Sequence, residues 1–321
     1  MSPVTVVAPL SYVRRGGGGT ASAASAASAA AAAAAGLPFG SSSSSSSSCA
    51  SLCASDSDSV KLAVRFAPGS ANSPSVMFLG GLSSSMDGIK GTHLANWCAE
   101  RSLTFLRFDY QGHGHSEGPA FHETTVSTWA GDAEAVFDEY APKLKRTVLV
   151  GSSLGGWMAT HLLYARTEQI AGMVGVASAP DFTEHSLRER YDAAKRGGAT
   201  TPFLTEPGGH FRDDGCFVLP SQYDDNGYIL NGNLVDDAVP FCVLTRPPPS
   251  NLSPTFPLRF VHGTADVDVP WQRSVALMEH LGVQNSTLRL IQGADHRLSS
   301  EQHLNEITAV LEEVLAQCGG Q

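Results

Sequence analysis

An apolar run that ends in Gly151-Ser-Ser-Leu-Gly155 constrains this chain more than any other segment. A pattern with helical spacing follows the motif, from Met158 to Arg166. A strand, a sharp turn and a helix are the context in which Gly-x-Ser-x-Gly exposes a nucleophilic serine. Because the turn is crowded, a Cβ atom at either glycine would meet neighbouring backbone. The pattern therefore predicts Ser153 as a nucleophile at the tip of a strained turn.

A second Gly-x-Ser-x-Gly runs from Gly114 to Gly118. It follows a Gly-His-Gly turn instead of a strand, and Pro119 follows it instead of a helix. Outside its structural context the motif does not predict a nucleophile. We therefore expect Ser116 to be a loop residue. Ser152 is out of phase with the glycines of the first motif and is not expected to react.

Short apolar runs alternate with segments of helical spacing along much of the chain. The runs are rich in β-branched residues, as the central strands of parallel sheets are. This alternation predicts an α/β fold, a mostly parallel central sheet with helices on both faces. The predicted strands are Lys61–Phe66, Ser75–Leu79, Leu103–Phe108, Thr147–Val150, Met173–Val176, Leu258–Val261 and Leu288–Ile291, and the predicted helices include Ile89–Glu100, Thr128–Tyr140, Val275–Leu281 and Ile307–Gln317.

The alternation stops between Ala179 and Pro257. A structureless loop of this length is uncommon inside a compact domain. We predict that residues 181–256 form a cap inserted after a core strand and covering the strand ends. A disordered surface excursion is the alternative, but aromatic side chains such as Phe211 and Phe217 favour packing.

The first 55 residues differ in composition from the rest of the chain. Residues 16–55 are almost all Gly, Ala and Ser, and Arg14 and Arg15 are the only charged residues before Asp56. Such a segment buries too little apolar surface to offset its chain entropy. We predict residues 1–55 to be a disordered leader with the composition of a transit peptide, and 56–321 to be the folded domain. The alternative is a low-complexity tail on a cytoplasmic protein. The alanine run at 29–35 is too short to span a membrane, so no transmembrane segment is predicted.

The formal net charge is −10. The chain lacks a basic face, so nucleic acid is not an expected partner. The six cysteines and the histidines show no metal-ligand spacing, and no phosphate-binding Gly-x-x-x-x-Gly-Lys occurs. We expect neither a metal nor a cofactor.

Acyl transfer to a serine needs a base and a group that orients the base. Asp266 comes just after the predicted strand Leu258–Val261, at the carboxyl edge of the sheet where sites of open α/β sheets form. Asp268, two residues further on, is the competing acid. His296 follows the last predicted strand after a short glycine-containing loop. These residues are the candidates for acid and base.

The same reaction needs N–H donors for the developing oxyanion. The backbone N–H of Leu154, the residue after the nucleophile, is one candidate. The second is an N–H from the loop after Ser75–Leu79, for which Leu82, behind Gly80 and Gly81, is the best placed.

These segments together resemble the α/β-hydrolase family, and within it the mitochondrial acyl-protein thioesterases that are also described as acyl-glucuronide esterases. The resemblance spans residues 75–315. The order serine, acid, histidine matches that family, and the resemblance favours Asp266 over Asp268. The segments that carry it are Phe78–Leu82, Met86–Lys90, Arg107–Ser116, Val150–Trp157, His262–Trp271 and Asp295–Arg297.

The resemblance implies a cofactor-free serine hydrolase that cleaves thioesters or carboxylic esters through an acyl-enzyme, with S-acylated protein or a small acyl ester as substrate. The resemblance also implies that Ser153 is the nucleophile, Asp266 the acid and His296 the base. Two alternatives stay open: an acyltransferase using the same three residues, and a non-catalytic binding protein on a hydrolase frame. Composition does not separate mitochondrion from plastid, whereas the resemblance favours the mitochondrion.

Overall fold

The computed structural model describes residues 7–16, 59–196, 209–220 and 227–318. Eight of its strands form one sheet and three form a small second sheet. The strands within the described residues are β1 Leu10–Arg15, β2 Val60–Ala67, β3 Ser75–Leu79, β4 Thr104–Phe108, β5 Thr147–Ser152, β6 Ile170–Val176, β7 His210–Phe211, β8 Phe217–Leu219, β9 Tyr228–Leu230, β10 Leu258–Gly263 and β11 Ser286–Ile291.

The large sheet has the order β1-β2-β4-β3-β5-β6-β10-β11. All neighbours from β4 to β11 run parallel, and β2 and β1 are added antiparallel at one edge. Every strand predicted from the sequence is present, with ends that differ by at most three residues. The predicted fold class, a mostly parallel α/β sheet, is confirmed.

Helices cover both faces of this sheet because its central strands are apolar on both sides. Met77 and Leu79 enter one hydrophobic core, and Val76 and Phe78 enter the other. Among the described helices, none combines the length and apolar character that crossing a membrane requires. The α-helices are α1 Ile89–Glu100, α2 Val126–Tyr140, α3 Leu154–Ala165, α4 Arg188–Lys195, α5 Leu234–Ala238, α6 Gln272–Leu281 and α7 Glu301–Cys318; shorter turns are 3₁₀ at Phe121–Glu123, Ala141–Lys143, Thr167–Gln169 and Val239–Phe241, and a π-turn at Thr183–Leu187.

The segment predicted as a cap contains regular structure. The π-turn, α4, the small antiparallel sheet of β7–β9 and α5 all lie between β6 and β10. Phe211 and Phe217 pack with Tyr191 of α4, at ring-centroid distances of 5.3 to 5.7 Å. Residues 197–208 and 221–226 lie outside the described residues.

The prediction that residues 1–55 lie outside the fold is wrong for residues 10–15. These residues form β1, which pairs along its whole length with β2. The side chains of Ser11, Val13 and Arg15 face the protein interior, while those of Leu10 and Tyr12 are exposed. Two of the three inward positions are polar, so the strand lacks the apolar alternation by which a half-buried strand is detected.

Arg15 can point toward the interior from β1 because it forms an ion pair with a buried carboxylate. Arg15 Nη1 lies 2.6 Å from Oδ1 of the fully buried Asp132 in α2 and donates to Thr128 O at 2.8 Å. A Cβ on Gly131 would lie 2.3 Å from Arg15 Nη2, so the glycine leaves room for the guanidinium. The helix surface is thus shaped to receive this residue of the N-terminal strand.

Replacing Arg15 with methionine should destabilise the protein by about 3 kcal/mol, because a buried carboxylate loses its cationic partner. Chemical denaturation monitored by circular dichroism measures the change. The control is Arg14→Met, the same substitution at an exposed position of the strand. Equal stabilities for the two variants would show that β1 is not held by this ion pair.

Candidate active site

Ser153 stands between the end of β5 and the start of α3, as the motif predicted. Its backbone has φ 55° and ψ −118°, a conformation that side-chain-bearing residues seldom adopt. Its N–H donates to Val176 O at 2.9 Å, and its carbonyl accepts N–H bonds from Gly156 and Ala179. The turn is therefore fixed by neighbouring backbone on both sides.

The two glycines of the motif are required by close backbone contacts. A Cβ on Gly151 would lie 2.2 Å from Gly155 O, and one on Gly155 would lie 2.0 Å from Leu79 O. Neither contact can relax by a side-chain rotation, since the opposing atoms are backbone carbonyls. The helix can therefore start directly against the sheet, which turns the hydroxyl of Ser153 outward.

The structure brings the three predicted residues into one hydrogen-bonded chain. His296 Nε2 lies 2.9 Å from Ser153 Oγ, and His296 Nδ1 lies 2.7 Å from Asp266 Oδ2. The carboxylate can only accept, so Nδ1 carries the hydrogen and Nε2 presents its lone pair to the serine hydroxyl. This tautomer is the one that can take a proton from Ser153.

Asp266 is surrounded by donors. Its side chain is fully buried after β10. Oδ1 accepts the N–H groups of Asp268 at 3.0 Å and Val269 at 2.8 Å, and Oδ2 accepts from His262 Nε2 at 3.0 Å and from His296. Burial acts to raise the pKa of this carboxyl, but the bonds from His262 and His296 outweigh it and hold the pKa well below its ordinary value. Asp266 therefore stays ionised beside the imidazole.

Asp268, the competing acid, is exposed and contributes its backbone N–H to Asp266. Side-chain oxygen and nitrogen atoms of Asp266, Asp268 and His296 lie within 4.8 Å of one another, a spacing that would also suit the ligands of a metal ion. Both imidazole nitrogens of His296 already bond to Asp266 and Ser153. Hydrogen bonding accounts for this cluster.

The backbone segments that carry the predicted oxyanion donors lie next to the serine. A Cβ on Gly81 would lie 3.3 Å from both Ser152 O and Ser153 Cβ, so the loop carrying Leu82 passes directly against the turn. Leu154 is the first residue of α3, and the first N–H groups of a helix have no acceptor within the helix. Both backbone segments are thus in place to offer N–H groups beside Ser153.

Ser116, in the second Gly-x-Ser-x-Gly, lies in a loop as expected. Its Oγ donates to Asp109 O at 2.6 Å and accepts the N–H of Ala63 at 2.8 Å. The hydroxyl is therefore used in bracing the loop against β2.

Two residues near the site were not anticipated from the sequence. His262 belongs to β10 and lies four residues before Asp266, and its Nε2 also faces Val269 O at 2.9 Å. Lys90 Nζ donates to the carbonyl of Arg297, the residue after His296. Burial lowers the pKa of Lys90 to about 8, despite an opposing effect of Asp295. The four-residue spacing between His262 and Asp266 could have suggested the contact between them. No local sequence pattern indicates the contact between Lys90 and Arg297.

Known proteins share this arrangement of elements. The chain is 31% identical over 243 residues to a mouse protein named palmitoyl-protein thioesterase ABHD10, mitochondrial, which covers 75% of each chain. A family model described as serine aminopeptidase, S33, of the Hydrolase_4 type, matches residues 71–200. The chain belongs to the α/β-hydrolase family.

Solved structures agree with this assignment. A putative hydrolase from Agrobacterium vitis S4 superposes with a TM-score of 0.68 at 31% identity, covering 81% of this chain and 95% of the other. Mouse α/β hydrolase domain-containing protein 10 superposes with a TM-score of 0.67 at 28% identity, covering 80% and 95%. The hydrolase and these proteins thus share the fold over most of their length.

The stability of the hydrolase should depend on pH through Asp266. Its pKa is lower in the folded protein than in the unfolded chain, where a free Asp has about 3.9. The unfolded state then binds more protons in acid, so this stabilisation is present above pH 4 and is lost as the pH falls. Asp266→Asn should lose less unfolding free energy than the wild type between about pH 5 and pH 2.

Urea denaturation at a series of pH values measures this slope. Ser153→Ala leaves the carboxylate in place, so it should keep the slope of the wild type. Identical slopes in Asp266→Asn and the wild type would contradict the prediction.

Proposed function

We propose that the protein is a serine hydrolase that cleaves acyl thioesters or carboxylic esters through an acyl-enzyme. The observation that carries this proposal is the chain of contacts from Ser153 Oγ through His296 to Asp266, at 2.9 and 2.7 Å. A nucleophile, a base in the required tautomer and an ionised orienting acid are together at the carboxyl edge of the sheet.

Each step of the reaction has a group to perform it. His296 Nε2 takes the proton of Ser153 as its oxygen attacks the acyl carbonyl. The N–H groups of Leu82 and Leu154 hold the oxyanion of the tetrahedral intermediate. His296 then gives its proton to the leaving group, and a water activated by the same imidazole releases the acid. Asp266 stabilises the imidazolium in both halves of the cycle.

We propose S-acylated protein as the substrate class, in a depalmitoylating reaction. The support is the similarity to relatives named palmitoyl-protein thioesterase. A thiol leaving group titrates at about 8.5, so it needs less protonation from His296 than an alkoxide does. The same site can therefore serve thioesters and esters, and the cap chooses between acyl chains.

The test compares wild type, Ser153→Ala and Ser152→Ala on acyl thioesters of graded chain length and on aryl esters. Ser152 is the matched control, since it is the adjacent serine and lies in β5. Ser153→Ala should lower kcat by at least about 1,000-fold and abolish labelling by a fluorophosphonate probe, while Ser152→Ala retains both.

A preference for long acyl thioesters supports the protein-thioesterase assignment. Labelling of Ser153→Ala by the fluorophosphonate probe at the wild-type level would contradict the serine-hydrolase proposal. Acyl transfer to an added alcohol or amine in preference to water would identify an acyltransferase instead.

We also propose that the protein is organellar and resides in mitochondria. The support is the word mitochondrial in the names of the relatives, together with a segment before Asp56 that contains no acidic residue. The full chain fused at its C-terminus to a fluorescent protein should coincide with a mitochondrial marker. Because β1 belongs to the fold, the fusion keeps residues 1–16. Plastid or diffuse cytoplasmic fluorescence would contradict the proposal.

A further inference from the structure

The loop between β3 and α1 carries the proposed oxyanion donor Leu82, and the segment from Asp109 to Ser116 holds this loop in place. The N–H of Ser83 donates to His113 Nε2 at 3.0 Å. Three residues further on, the N–H of Met86 donates to Asp109 Oδ1 at 2.5 Å. The mechanism described above uses neither His113 nor Asp109.

Ser83 needs such support because its backbone has φ 55°. A non-glycine residue in the left-handed region is strained and persists only where its surroundings determine it. The Ser83 N–H belongs to the peptide unit next to the one that supplies the Leu82 N–H. A bond that orients Ser83 therefore also restricts the direction of the Leu82 N–H.

His113 is prepared for this role by its own contacts. Its Nδ1 lies 3.0 Å from the carbonyl of Gln111, which can only accept, so Nδ1 carries the hydrogen. Nε2 is then an acceptor and receives the Ser83 N–H. The side chain is 4% exposed, and burial lowers its pKa, which favours the neutral ring.

Aromatic side chains prevent the imidazole from turning away. Tyr110, Phe121 and Trp129 all meet the ring of His113 edge to face, at centroid distances of 5.2 to 5.8 Å. A Cβ on Gly114 would lie 2.0 Å from Asp109 Oδ2, so the glycine lets the chain close around the carboxylate. The second Gly-x-Ser-x-Gly motif therefore contributes to the segment from Asp109 to Ser116 that holds the loop between β3 and α1.

We propose that His113 is a positioning residue for the oxyanion hole. By accepting the Ser83 N–H it holds the Leu82 N–H toward the carbonyl that Ser153 attacks. This inference rests on the proposed function, since an oxyanion hole has a role only where a tetrahedral intermediate forms.

The experiment replaces His113 with leucine, which removes the acceptor, and with glutamine, whose amide oxygen can accept the Ser83 N–H. The matched control is His161→Leu. His161 is also a buried imidazole, 8% exposed, but it contacts Glu134 at 2.7 Å instead of the oxyanion loop. Measurements are kcat and KM on p-nitrophenyl butyrate, the inhibition constant of a trifluoromethyl ketone, and the thermal midpoint.

Loss of an oxyanion donor lowers kcat by about 100- to 1,000-fold, and a donor that is present but loosened should cost less, about 10- to 100-fold. In His113→Leu we expect that fall in kcat with little change in KM, and an equal loss of affinity for the ketone, which binds as a tetrahedral adduct. His113→Gln should recover part of the lost kcat and part of the lost affinity for the ketone. His161→Leu should lower the thermal midpoint while keeping kcat and ketone affinity.

Wild-type kcat and ketone affinity in His113→Leu would overturn the positioning role, as would an equal loss of both in His161→Leu. Failure of the proposed function is a separate result, because it is observed in the wild type and Ser153→Ala alone. A wild type without hydrolysis or fluorophosphonate labelling refutes both proposals, whereas an active wild type with an unaffected His113→Leu refutes only the second.

Discussion

The strained backbone of Ser153 is the constraint on which the rest of the site depends. A residue at φ 55° between a strand and a helix is stable only if the surrounding backbone leaves it no alternative. Here Val176 O binds its N–H, and two glycines permit carbonyls to approach that would otherwise clash with side chains. The strain is what lifts the hydroxyl out of the sheet. Asp266 and His296 follow β10 and β11, the second and third strands along the sheet from β5, and the three side chains meet at the carboxyl edge of the sheet.

Two buried aspartates in this fold show how the surroundings of a carboxyl group shift its pKa. Asp266 receives N–H bonds from two imidazoles and two backbone amides, and its pKa is lowered. Asp132 receives Arg15 and two donors from Gln111, but burial outweighs them and its pKa is raised. Asp266 bonds to the imidazole beside Ser153, whereas Asp132 pairs with Arg15 and anchors β1 at the edge of the sheet.

The parts of the site that could be predicted are those encoded by short segments. Ser153 and His296 each follow a strand within a few residues, so local patterns identify them. Asp266 and Asp268 follow the same strand, and the local pattern does not distinguish them. The backbone decides between them, because the turn directs two N–H groups onto Asp266 and leaves Asp268 exposed.

The parts that could not be predicted depend on contacts between distant segments. Arg15 meets Asp132 across 117 residues, and its strand has too few apolar positions to be recognised by periodicity. His113 meets Ser83 across 30 residues, and its own segment indicates only a turn. In both cases a polar side chain is buried because a partner from another element satisfies it, and single-segment patterns contain no information about that partner.

The segment between β6 and β10 is attached to the frame beside the helix that follows Ser153. At its base, the carboxylate of Asp181 accepts the N–H groups of Val243 at 2.7 Å and Leu244 at 2.8 Å. Trp157 of α3 donates to Phe241 O at 3.0 Å. These bonds join the start of the segment, at Asp181, to residues 241–244 beside α3. Leu187, Tyr191 and Phe217 of the same segment belong to the hydrophobic core that also contains Trp157, so the segment is fixed to the frame by packing as well as by hydrogen bonds.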